Sequence, residues 1–128
     1  MGWLPRRNPK ALGGAGEEAA ARHLAGLGFE VVARNYRGAG GELDMICRDG
    51  DTLVFVEVKA RGSDRFGGAP WAVPPAKRRQ VAKVARAYLT ERALYGKVPC
   101  RFDVVLIDAG RTPFGVTHIP GAFQADAD

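Results

Sequence analysis

Apolar positions recur with two different periods along this chain. Over residues 15–27, AGEEAAARHLAGL, helix-forming residues dominate, Ala20, Leu24 and Leu27 recur three or four apart, and Gly28 follows. This predicts a first helix closed by its glycine. The same stripe followed backward reaches Glu17, placing a carboxylate on the core-facing side, while Glu18 lies about 100° round and faces out. Residues 29–36, FEVVARNY, suit a strand, and Gly38, Gly40 and Gly41 break it from the next. ELDMICR (42–48) and LVFVEVKAR (53–61), read as strands, flank Asp49-Gly50, a hairpin signal.

Residues 62–76 are rich in glycine and proline and carry Phe66 and Trp71, which predicts a long surface loop. Val81, Val84, Ala85, Tyr88 and Leu89 fall at helical spacing within residues 76–94, with Gly96 after them, giving a second helix. RFDVVLID (101–108) is a further strand, and GVTHI (115–119) a shorter one stopped by Pro120. The order helix, three strands, helix, strand, strand packs economically as an α/β sheet between helices. Residues 1–12 read as a basic arm, 13–120 as one domain and 121–128 as a polar tail.

Composition narrows the function class. Hydrophobic residues make up 46% and charged residues 26% of 128, which excludes disorder as the dominant state. The longest apolar run, 53–58, is interrupted by Glu57 and is far too short to span a bilayer. The N-terminus has no apolar signal segment, so a cytoplasmic location and no membrane partner are expected. Cys47 and Cys100 show neither zinc-ligand nor disulfide spacing and read as reduced core thiols. The net charge is +5, with fourteen Arg to five Lys, an excess suited to bidentate phosphate contacts.

The candidate chemistry lies in Asp44, then twelve residues, then Glu57-Val58-Lys59. An even hairpin loop, of two residues (49 and 50) or four (49 to 52), puts Asp44 on one face with Glu57 and Lys59; an odd loop separates them. In the four-residue register Asp44 directly opposes Glu57. Like charges ~5 Å apart repel by ~3 kcal/mol at an effective dielectric of 20, so the pair calls for a proton, water or a cation. Both faces of the 53–61 strand begin apolar, which makes it central and puts the charges at the rim of a core. Mg²⁺ (or Mn²⁺) suits two hard carboxylates that also face phosphate. Lys59 is no ligand, but it can orient the attacking water and stabilise developing charge.

The order GEE (16–18), GELD (41–44), LVFVEVKAR (53–61), AKRRQ (76–80) and RFDVV (101–105) resembles the bacterial YraN-like family of predicted nucleases, over roughly residues 13–119. That resemblance implies a restriction-endonuclease-like three-layer α/β/α fold with a central mixed sheet, similar to archaeal Holliday junction resolvases and other PD-(D/E)xK enzymes. It implies Asp44 and Glu57 as metal ligands, Lys59 as the catalytic lysine, and Glu17 as the carboxylate completing the site. Leu43 stands where the motif's name has proline.

Plainer readings stand beside these. The acid pair can be cross-strand salt bridging on a solvated face, Glu17 a first-turn acid favoured by the helix dipole, and Glu42 an ion-pair partner of Lys59. Asp103 reads as a buried structural carboxylate, and His23 and His118 show no ligand spacing. Lys77, Arg78 and Arg79 open the second helix, where its dipole disfavours cations; with Lys83, Arg86 and Arg61 they suit phosphates. The leading expectation is a Mg²⁺-dependent endonuclease, or a protein of that fold, that engages branched or structured DNA, with a two-fold homodimer compatible with symmetric substrates. Its rivals are a DNA-binding module of the same fold with little turnover, and a protein-interaction scaffold anchored on Phe66 and Trp71.

Overall fold

The computed structural model describes residues 14–61 and 72–124. The arm (1–12), Phe66, Trp71 and residues 125–128 lie outside the described residues. Among those described, the elements run α1 (Ala15–Gly26), β1 (Glu30–Gly38), β2 (Gly41–Asp49), β3 (Thr52–Ala60), α2 (Pro75–Glu91), β4 (Cys100–Asp108) and β5 (Gly115–Phe123). The five strands form one mixed sheet in the order β1-β2-β3-β4-β5, with β3 and β4 parallel and the other neighbours antiparallel.

Strand alternation builds a core on each face. Leu53 and Phe55 of β3 pack with Val81, Val84 and Tyr88 of α2, whereas Val54, Val56 and Val58 pack with Ala20 and Leu24 of α1. A strand buried on both faces is why 53–58 reads as nearly continuous hydrophobic sequence. The sheet therefore lies between one helix and the other, an α/β fold. No helix among the described residues is long and apolar enough to cross a membrane.

Both helices close with the same hydrogen-bond pattern. At α1, Gly28 takes φ 96° and Phe29 N–H donates to the Leu24 carbonyl at 3.0 Å. Leu27, assigned to the core stripe by spacing, instead caps this end and is exposed. At α2 the left-handed position is Ala93, φ 57°, and Leu94 N–H reaches the Leu89 carbonyl at 2.8 Å. The helix thus stops at Glu91 rather than running to 94, because Leu94 folds back onto the core before Gly96 is reached.

The last strand is longer than its sequence suggests. β5 passes through Pro120 and continues to Phe123. An edge strand tolerates the missing N–H, and the β4–β5 ladder is already irregular between Phe102 and Val104. Phe123 stacks on Phe102 with ring centroids 5.0 Å apart, so residues 121–123, expected to open a polar tail, belong to the sheet.

Candidate active site

The β2–β3 hairpin brings the two acids together. Arg48 faces Leu53 and Asp49 faces Thr52, leaving Gly50-Asp51 as the turn, with Gly50 at φ 61°. This is the register of the four-residue alternative, tightened by one further pair, and it sets Asp44 against Glu57. The backbone ladder ends at Met45–Val56. Side chains carry on from there: Val58 N–H donates to Asp44 Oδ2 at 2.8 Å, and Asp44 N–H to Glu57 Oε2 at a longer 3.4 Å. Each carboxylate is 2% exposed, so the solvated-face reading does not hold.

On the other side of β2 the pleat changes phase at Asp44. Leu43 belongs to the core under α2, while Met45 belongs to the core under α1. Their partners on β1 are Tyr36 and Arg34, and between these Asn35 takes φ 52°, a left-handed conformation that asparagine tolerates better than most residues. Oriented so that its nitrogen donates, the Asn35 amide reaches Glu17 Oε1 and Glu42 Oε2, both at 3.2 Å. Glu17, 5% exposed, does face inward from α1. Glu18 faces out, 2.9 Å from Arg34, whose guanidinium holds its carboxyl below the usual range.

Glu17, Asn35, Glu42 and Asp44 line one cleft of about 620 Å³, with Arg37 and Lys77 also on its walls. Gly41 closes the β1–β2 turn against α2 so tightly that a Cβ there would lie 2.9 Å from Val84 Cγ2.

The cations are distributed differently from expectation. Lys59 Nζ donates to the Ala72 carbonyl at 2.6 Å, while Lys77 Nζ lies 3.4 Å from Glu57 Oε1. Lys77, expected to be a phosphate contact, also stands as an ion-pair partner of Glu57. Glu42 pairs with its cross-strand neighbour Arg37 at 3.6 Å. Arg78 turns back to the Val73 carbonyl at 2.7 Å. Arg79, Lys83 and Arg86 line a second groove of about 470 Å³, which meets the acid cleft at Gly40 and Gln80. Arg61 is exposed just beyond β3 and lines neither.

Asp103, fully buried, accepts hydrogen bonds from Arg101 Nε at 2.9 Å and Gly121 N–H at 2.9 Å, and lies 2.7 Å from His118 Nε2. This network fastens β5 to β4. Burial, with a smaller contribution from Asp103, pushes the Cys47 thiol up to about 12. Cys100, expected in the core, is exposed at the start of β4.

As placed, no three Asp, Glu, His or Cys side chains among the described residues stand close enough to enclose an ion. Mg²⁺ does not require such a cage; it commonly takes one or two carboxylates and completes its shell with water and phosphate. Two near-buried hard-oxygen donors on one seam, with a lysine ammonium already beside one of them, fit that donor set. Asn35 and the Lys77–Glu57 pairing were missed by sequence reasoning. The signal for Asn35 was an asparagine, of low strand propensity, between Arg34 and Tyr36 in a segment read as a strand.

The model of the uncharacterised protein family UPF0102 matches residues 16–107. A UPF0102 protein of Xanthomonas oryzae pv. oryzae (strain PXO99A) is 49% identical over 114 residues, covering 88% of this chain and 92% of the relative. One from Geobacter sulfurreducens is 44% identical over 120 residues, 90% of each chain, and one from Pseudomonas paraeruginosa 38% over 122, 94% and 98%. The chain belongs to this family.

Proposed function

We propose that this UPF0102 member is a YraN-like, restriction-endonuclease-like protein that hydrolyses phosphodiester bonds in branched or otherwise structured DNA, with Mg²⁺ or Mn²⁺ as cofactor. The observation that carries the reading is the Asp44–Glu57 pair: two carboxylates, each 2% exposed, joined across the end of the β2–β3 seam. Two like charges face each other across this seam with Lys77 beside one of them, and the adjoining cleft continues into a basic groove.

Asp44 and Glu57 hold the cation, with Glu17 across the cleft kept in place by Asn35. The chemistry such a cation supplies when bound is activation of water and neutralisation of charge developing on phosphorus. Arg37 and Lys77 hold the phosphate at the cleft, and Arg79, Lys83 and Arg86 hold its neighbours along the same strand. Lys59, on the same face of β3 as Glu57, orients the attacking water and stabilises the charged transition state. A two-fold pair of chains suits a symmetric junction that needs two incisions, and the chain's work lies in the cytoplasm.

The test is incubation of the purified protein with four-way junction, flap and linear duplex in Mg²⁺, beside Asp44→Asn and Lys59→Ala variants. Cleavage lost in both variants is expected. Salt-sensitive DNA binding without variant-sensitive cleavage leaves a binding module of the same fold, the reading favoured by the tether of Lys59 to Ala72. Salt-insensitive capture of a protein with no affinity for DNA favours the scaffold.

A further inference from the structure

Lys77 stands in the first turn of α2, where the helix dipole disfavours a cation and no acid in that turn offsets it. Its contacts lie elsewhere: Nζ is 3.4 Å from Glu57 Oε1 and 3.2 Å from Gln80 Oε1. The two ends of the ion pair differ in burial, Glu57 being 2% exposed and the Lys77 side chain 34%. A buried carboxylate set against a second one is costly without positive charge near it. An ammonium on a four-carbon stem supplies that charge while keeping a path into solvent. The 3.4 Å separation is long for a charge-assisted hydrogen bond, so the contact is Coulombic and loosely fixed in direction.

We propose that Lys77 is the resident counter-ion of Glu57 and that an incoming divalent cation displaces it. The proposal rests on the reading of Asp44 and Glu57 as metal ligands. Entry of the ion is then an exchange: one ammonium withdraws from Glu57 as two positive charges arrive. The displaced ammonium stays on the cleft wall, on the side a phosphate occupies. Metal affinity is therefore set in part by a residue that is not a ligand, and deleting that residue's charge tightens binding.

Two measurements on the full chain test this. Calorimetric titration with Mn²⁺ compares wild type with Lys77→Met, Lys77→Arg and Glu57→Gln. Loss of a half-exposed ion pair corresponds to about ten-fold tighter binding in Lys77→Met, with Lys77→Arg within about two-fold of wild type and Glu57→Gln weak in either background. In the second, the Lys77 side-chain NMR signal shifts on adding Mg²⁺ with the midpoint of binding, while that of exposed Lys97 stays in place. If wild type binds Mn²⁺ and Lys77→Met binds no tighter, or the Lys77 signal does not move, the exchange is overturned and the metal reading stands. If neither wild type nor Lys77→Met binds Mn²⁺, the metal reading fails and takes the exchange with it.

Discussion

Two places in the sheet bury carboxylates, and they do so in opposite ways. Asp103 on β4 is completely covered and meets Arg101, His118 and the Gly121 N–H, so its charge is matched and both oxygens accept hydrogen bonds. Asp44 on β2 is covered almost as well, yet across the seam it meets another carboxylate, Glu57, whose nearby ammonium, Lys77, is partly exposed on the wall of a cleft. The first arrangement is what stability favours, since a buried charge with a full set of partners is costly only to disrupt. The second is what folding alone would avoid. Burial of an acid is thus uninformative by itself; what surrounds it separates a fastening from a site.

The largest effect that tests this contrast is on stability. Asp103→Ala strips the network between β4 and β5, leaves His118 without this acceptor and Arg101 with Asp49 at 3.6 Å, so it should lower unfolding free energy by about 3–5 kcal/mol in denaturant titration. Asp44→Asn keeps the shape and an acceptor oxygen while removing like-charge repulsion, and Glu57→Gln does the same while losing a partly exposed pairing with Lys77 worth about 1 kcal/mol or less. These should melt within a few degrees of wild type or above it. Comparable losses at both places would end the distinction.

A smaller effect probes how well the Asp103 side is sealed. The Cys47 thiol, pushed up to about 12 chiefly by burial, sits in the same core, whereas Cys100 is exposed and raised only by its partial desolvation. Since the thiolate is the reactive form, a disulfide reagent at pH 8 should label one thiol per folded chain, and the second only in denaturant. The linkage follows the same sign. The unfolded Cys47 thiol ionises near its ordinary value and the folded one near 12, so its contribution to stability is complete below the ordinary value and is lost as pH climbs between the two. Labelling of both thiols at equal rates in the native protein would contradict the sealed core.

The smallest effect belongs to the open side. Asn35→Gly removes the amide that joins Glu17 to Glu42 but suits φ 52° without strain. Its stability should change by less than about 1 kcal/mol, while Mn²⁺ affinity falls because Glu17 loses its hold. A large drop in melting temperature would mean that the amide fastens the fold instead.

Much of this arrangement was legible from residue order. Apolar residues on both faces of 53–58 marked β3 as central, Gly28 marked the end of α1, and the four-residue alternative for the hairpin had the register that brings Asp44 level with Glu57. Those are local signals, carried by neighbours in the chain. What stayed hidden depends on contacts between distant segments. Phe123 extends β5 because Phe102 is there to stack on, and Lys77 meets Glu57 because the crossover lays α2 beside the end of β3. Ala93 was unreadable as a helix stop for a related reason: its left-handed backbone persists because Leu94 packs against the core.

At the β1–β2 turn, Gly41 leaves room for a hydrogen atom and nothing larger against Val84 and Gln80. That single atom gauges how near the hairpin tip can lean on the helix bearing Lys77, and hence how wide the mouth of the acidic hollow stands. A methyl group inserted there works as a shim, prising tip from helix and loosening the grip on whatever lies between, without touching any charge.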